Sequence, residues 1–270
     1  MRFEPSQSTS KRSGVRTSPH TPADADSGLV APPCSDNNPG IVIRDVVPMN
    51  RQDVAAVARL HMELFRDIGP MAQLGELFVR EFCYATLIRD GLIKAAICEV
   101  DGEPAGMVAY TDRSISFHRS AISGHFLYVV WLTLYSLLRH PSTFLRLPRA
   151  LKLMLSRRGE QQLLGEDPMA EVLAVGVLPE FRTPQFIRST GLRVGDALQD
   201  YVIEFFRGLE LDRVRMVVDA DNTPALFYWH RAGGHFEPYE HGGKPSILIW
   251  LDLNHAGLME EPRSSLNENA

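Results

Sequence analysis

Cysteine is scarce, with three residues in a chain of 270, too few for a disulfide framework. No CxxC or HExxH spacing occurs, so neither a structural nor a catalytic metal is expected. Both features predict a reducing, cytoplasmic setting. Long apolar runs are also missing. The longest covers residues 126–138 and includes Thr133 and Ser136, short of the roughly 18–20 apolar residues of a membrane-crossing helix. Residues 1–40 lack the apolar stretch of a secretory signal. They are rich in Ser, Pro, Asp and basic residues, a composition that buries too little apolar surface to offset the entropy lost on ordering. A disordered tail is expected there and again over 255–270, leaving one domain at about 41–254.

What is present is globular in character. The chain is 44% hydrophobic and 23% charged, neither disordered nor collagenous overall. Its formal charge of −5 argues against nucleic acid as a partner. That charge is uneven. Residues 113–159 contain no Asp or Glu but seven Arg and one Lys, a local charge of +8 that leaves −13 for the remainder.

Hydrophobic periodicity orders the elements. Residues 41–47 alternate as a strand, and Asn50 can cap a helix presenting Val54, Val57, Ala58, His61, Leu64 and Phe65 on one face. A second helix carries Leu74, Leu77, Phe78, Phe82, Ala85 and Ile88 and ends at Gly91. Asp101-Gly102 joins two strands at 93–100 and 105–111 as a hairpin. The basic segment reads as helical. Leu127, Val130, Trp131, Leu134 and Leu138 share one face, as do Leu147, Leu151, Met154 and Leu155. Residues 170–177 form a mostly apolar strand, 194–205 the most regular amphipathic helix, 213–220 a strand, 224–231 a short helix and 247–253 a last strand. Two strands joined through a helix at 170–220 imply a parallel pair in an otherwise antiparallel sheet.

A strand, a glycine-bearing loop and a helix start also make an anion site, through free N–H groups and the helix dipole. Gly191 and Gly195 permit close backbone approach there, and Arg182, Arg188 and Arg193 offer charge-assisted bonds.

The strand AEVLAVGVLPEFR, the helix entry RVGDAL, and Asn222, Ala225, Phe227, Tyr228, Gly233 and Phe236 resemble, in order, three motifs of the GNAT superfamily of acyl-CoA-dependent N-acyltransferases. The resemblance covers about 41–254. It implies an α/β (α+β) fold, with a mixed, mainly antiparallel twisted sheet, a splayed parallel strand pair and a helical insert between strands 3 and 4. It also implies an N-acetyltransferase that uses acetyl-CoA and an amine acceptor by direct attack, without a metal. By that resemblance Val175, Gly176 and Val177 line the pantetheine arm. Thr190, Gly191, Leu192, Arg193, Val194 and Gly195 hold the pyrophosphate, with Arg188 in an alternative register. Asn222 contacts the cofactor arm, Tyr228 protonates the leaving thiolate, and Glu171 deprotonates the amine.

Other readings of the same residues remain open. Asn222 also suits a helix cap before Pro224. Cys83 and Cys98 fit a core, and His230 and His235 fit packing or solvent. The loop departs from the family pattern, with about eight extra residues between Arg182 and Gly195, and Arg193 and Asp196 near the anion position. That departure keeps a catalytically silent acyl-CoA-binding scaffold as the alternative. The basic insert could pack on the domain, on a second subunit in a homodimer, on an anionic membrane surface as a peripheral contact, or beside a bulky acceptor.

Overall fold

Why the apolar positions recur where they do becomes clear in the computed structural model, which describes residues 40–66, 68–69, 71–139, 168–241 and 243–254. The strands are β1 (Ile41–Asp45), β2 (Lys94–Val100), β3 (Glu103–Thr111), β4 (Ala170–Val177), β5 (Arg213–Asp219), β6 (His235–His241) and β7 (Lys244–Asp252). They form one sheet in the order β1-β2-β3-β4-β5-β7-β6. Every neighbouring pair is antiparallel except β4 with β5. This is the mixed, mainly antiparallel α/β sheet with one parallel pair that the pattern predicts. The expected tails and the second apolar face at 147–155 lie outside the described residues.

Helices cover both faces of the sheet. On one lie α1 (Arg51–Phe65), α2 (residues 76–89) and α3 (Ser114–Arg139). Val57, Phe78, Phe82, Ile97 and Met107 are buried between them and the strands. On the other lie α5 (Val194–Gly208) and α6 (Thr223–Arg231), over Val108, Leu198, Phe206, Val214 and Ile249. A short α4 (Pro184–Thr190) precedes α5. Asn50 caps α1 as expected, accepting from Gln52 N at 3.0 Å. The middle of α2, Val79–Thr86, widens into a π-helix. The wider turn lets Phe82, Cys83 and Tyr84 all bury at consecutive positions, which a single 3.6-residue face does not allow. The Asp101-Gly102 turn has positive φ at both residues, 51° and 84°, the backbone a tight hairpin requires.

Two elements escape the periodicity. Strand β6, HFEPYEH, is charged, contains Pro238 and pairs only with β7. It is an edge strand, the place where a sheet tolerates proline. Helix α4 occupies the extra residues of the loop after β4. Thr183 accepts from Phe186 N at 3.1 Å to cap it, Pro184 opens it, and Gly191 ends it in the left-handed region at φ 72°.

Candidate active site

The parallel pair is brief. Ala170, Glu171 and Val172 pair with Val214, Arg215 and Met216, and the strands then part. Beyond this point β4 stays on β3, with Val175 and Val177 opposite Val108 and Gly106. Strand β5 stays on β7, with Val217 and Val218 opposite Leu248 and Ile247. A bulge sits at the parting. Ala109 and Tyr110 are adjacent on β3, yet their partners are Ala174 and Val172, so Leu173 is the extra residue. A bulge bends its strand and raises the local twist, which turns β4 away from β5. The facing backbone edges of β4 and β5 are left open beyond it.

The N-terminus of α5 meets the end of β4. Asn50, Thr183 and Asn222 supply side-chain caps to α1, α4 and α6, but Arg193 makes no such cap on α5. The first N–H groups of α5, which have no partners within the helix, therefore remain available to an anion. A Cβ on Gly195 would stand 3.7 Å from the Tyr228 ring and 3.9 Å from a Val177 methyl, which places the three residues side by side. The Tyr228 hydroxyl donates to the Gly195 carbonyl at 2.9 Å. Burial, with Asp196 and Asp200 nearby, pushes that phenol well above its usual range and keeps it protonated.

The other sequence-predicted residues divide. Gly176 faces α1, and a Cβ there would come within 2.8 Å of Leu64, so its small size serves helix packing. Thr190 bonds within its own turn, donating to Phe186 O at 2.7 Å and accepting from Leu192 N at 3.1 Å. Leu192 is a core residue at 5% exposure, and its N–H is already taken by Thr190. Arg188 is exposed on the last turn of α4. Arg193 is exposed and lies 3.7 Å from Asp196, a charge partner for that carboxylate. Val194 is buried, so only its backbone faces the helix entrance. Asn222 is a helix cap, accepting from Ala225 N at 3.3 Å. His230 packs its ring 5.9 Å from Phe236, and His235 is exposed. Cys83 and Cys98 are buried, and burial pushes the Cys83 thiol up to about 12.

Glu171 lies in the last paired stretch of β4. It is 2% exposed, and its carboxylate accepts from Arg215 Nη2 at 3.0 Å and from the Ser114 hydroxyl. The reason is register, because Glu171 and Arg215 are direct partners on β4 and β5. The carboxylate is paired with a buried guanidinium, and it ties the parallel pair to the start of α3. Sequence reading missed Arg215 and Ser114 because they lie 44 and 57 residues from Glu171. No local pattern marks them.

A pantetheine-like arm and a phosphate fit this arrangement, since an open strand edge leads to an uncapped helix start. Among the described residues no group of His, Cys, Asp and Glu could hold a metal ion. No protein-family model matches the chain, and no curated protein matches it. Several solved structures are similar to it. A GNAT-family putative acetyltransferase from Desulfovibrio desulfuricans is 13% identical, with TM-score 0.47 over 79% of this chain and 99% of its own. The PaiA N-acetyltransferase of Thermoplasma acidophilum, solved with coenzyme A, is 12% identical, with TM-score 0.46 over 78% and 98%. A dodecameric spermidine N-acetyltransferase from Vibrio cholerae is 14% identical, with TM-score 0.46 over 81% and 96%.

Proposed function

We propose that this chain is an N-acetyltransferase of the GNAT type, passing an acetyl group from acetyl-CoA directly to an amine. The observation that carries the reading is the parting of β4 from β5 at Leu173, with the Tyr228 hydroxyl held at the first turn of α5. Acetyl-CoA supplies a thioester, whose acyl carbon an unprotonated amine attacks and whose departing sulfur needs a proton. The open edge of β4 at Val175–Val177 offers backbone N–H and C=O groups to the pantetheine arm, as an added strand would use them. The first turn of α5 at Val194–Gly195 receives the pyrophosphate through backbone N–H groups, with Arg193 beside it. Tyr228 turns its proton from the Gly195 carbonyl to the leaving sulfur as the C–S bond breaks, and the proton that the nitrogen gives up on forming the amide passes through solvent to restore the phenol. Glu171 holds β4 and β5 together just before they part, and thereby sets the width of the cleft. The test is calorimetric titration with CoA, followed by a thiol-release assay with acetyl-CoA over a panel of small amines, amino sugars and peptides. Binding with turnover on at least one amine supports the reading, and absence of CoA binding overturns it.

A second reading has its own support. Both expected catalytic groups are engaged, Glu171 by Arg215 and Tyr228 by Gly195, which favours a silent acyl-CoA-binding domain. Tight CoA binding with no turnover on any amine of the panel would select it.

A further inference from the structure

Helix α3 is two-sided in an unusual sense. Its inward side packs Ala121, His125, Tyr128, Leu132 and Ser136 at spacings of three and four residues, with Leu132 at 1% exposure. Its outward side is also apolar. Phe126, Leu127, Val130, Trp131, Leu134 and Leu138 run along one face, and Leu127 and Leu138 are 80% and 84% exposed. An apolar stripe of this length on a charged protein marks an interaction surface. No helix among the described residues is long and apolar enough to cross a membrane.

We propose that this face of α3 docks on an anionic lipid surface. Charge chooses this occupant over the others. The helix lies in the segment 113–159, which has eight cations and no carboxylate, whereas the rest of the chain carries −13. Exposed Arg139 closes the stripe at the C-terminal end of α3, and exposed Arg113 precedes the helix, on the other side of a kink at His125. Among the described residues, the acids that approach α3 do so away from the stripe: Asp90 at His125, Glu81 on α2, itself paired with Arg80 at 2.9 Å, and buried Glu171 at Ser114. A second copy docked face to face would set two carboxylate-free helices against each other. An anionic headgroup layer complements both the stripe and its basic frame.

The aromatic residues fit that layer. Exposed Trp131 stacks between half-buried Tyr128, whose ring reaches out from the packed side, and half-buried Tyr135, with ring centroids 6.2 and 5.6 Å apart. Tyr and Trp rings favour the depth where headgroups meet acyl chains. The Arg139 guanidinium lies 5.2 Å from the Tyr135 ring, so its aliphatic stem can follow the apolar face while its charge reaches phosphate.

The test uses the full chain with vesicles of phosphatidylcholine alone and of phosphatidylcholine mixed with phosphatidylserine. Cosedimentation with the mixed vesicles only, reversed by salt, is the expected result. The double variant Trp131→Glu/Leu134→Glu changes two side chains that are each 56% exposed, and its fold is checked by circular dichroism. Its affinity for the mixed vesicles should fall at least about tenfold. Failure of the parent chain to cosediment, or equal binding by parent and variant, would overturn the proposal. So would a parent dimer in sedimentation velocity that the variant dissolves, because the stripe would then be an interface between copies.

Discussion

Glu171 and Arg215 face each other on adjacent strands, and their charged groups meet at 3.0 Å with side-chain exposures of 2% and 7%. This contact lies in the last stretch where the parallel pair holds before β4 and β5 part. Removing one charge strands the other in the sheet, which typically costs about 3–5 kcal/mol. Glu171→Leu alone and Arg215→Leu alone should each lower stability by that amount in urea denaturation. The double variant should be clearly more stable than either single one, because no buried charge is left unpaired. If Glu171 were instead an independent general base, Glu171→Leu would abolish turnover, and the double variant would recover stability but no activity.

How much of this was legible in the sequence depends on how local each cause is. The Asp101-Gly102 hairpin, the cap at Asn50 and the apolar face of α5 are set by residues a few positions apart, and the pattern predicts them. Helix α4 was also written in the chain, as Thr183, Pro184 and Gly191 in cap, first-turn and stop positions, but its seven residues are too few for a periodic signal. Strand β6 was hidden because an edge strand needs no apolar alternation. The Glu171–Arg215 pair depends on strand register, which a sequence shows only once the sheet order is known. The motif positions located the parting strands and Tyr228, but they could not separate Leu192, a core residue, from Arg193, an exposed one.

Tyr228→Phe isolates the proton donor. The ring keeps its place beside Gly195 and Val177, and one hydrogen bond to a backbone carbonyl is lost. Under the proposed chemistry the rate of thiol release falls about 10²-fold or more. CoA affinity in calorimetry changes little, because the pyrophosphate meets α5 backbone and not the phenol. Unchanged turnover would remove Tyr228 from the mechanism.

Gly106 is where β3 tolerates no side chain. A Cβ there would stand 2.8 Å from the Gly176 carbonyl oxygen and 3.1 Å from Leu198. The first obstacle is backbone on the neighbouring strand and cannot rotate away. Gly106→Ala should therefore destabilise the chain by about 1–3 kcal/mol in chemical denaturation and loosen the β3–β4 contact beside the cleft. Gly102→Ala meets no atom within 4 Å, so any loss there reflects its positive φ alone and should be smaller.

His61 makes stability depend on pH in a defined direction. Its ring is 9% exposed. Its Nδ1 pairs with the Tyr84 hydroxyl at 2.7 Å, while its Nε2 is buried without a partner among the described residues. Desolvation lowers its pKa from 6.5 to about 4, because a charged imidazolium loses more than a neutral ring on leaving water. The unfolded chain thus binds a proton near pH 6.5, and the folded chain resists it until about pH 4. The contribution of neutral His61 is complete above pH 6.5 and is lost as pH falls from there toward 4. A depression of this size corresponds to roughly 3 kcal/mol at its full extent. Urea midpoints measured from pH 7.5 down to 4.5 should decline in the parent chain. The decline should be shallower in His61→Leu, which has no proton to gain. An equally steep decline in the variant would assign the acid sensitivity to the carboxylates alone.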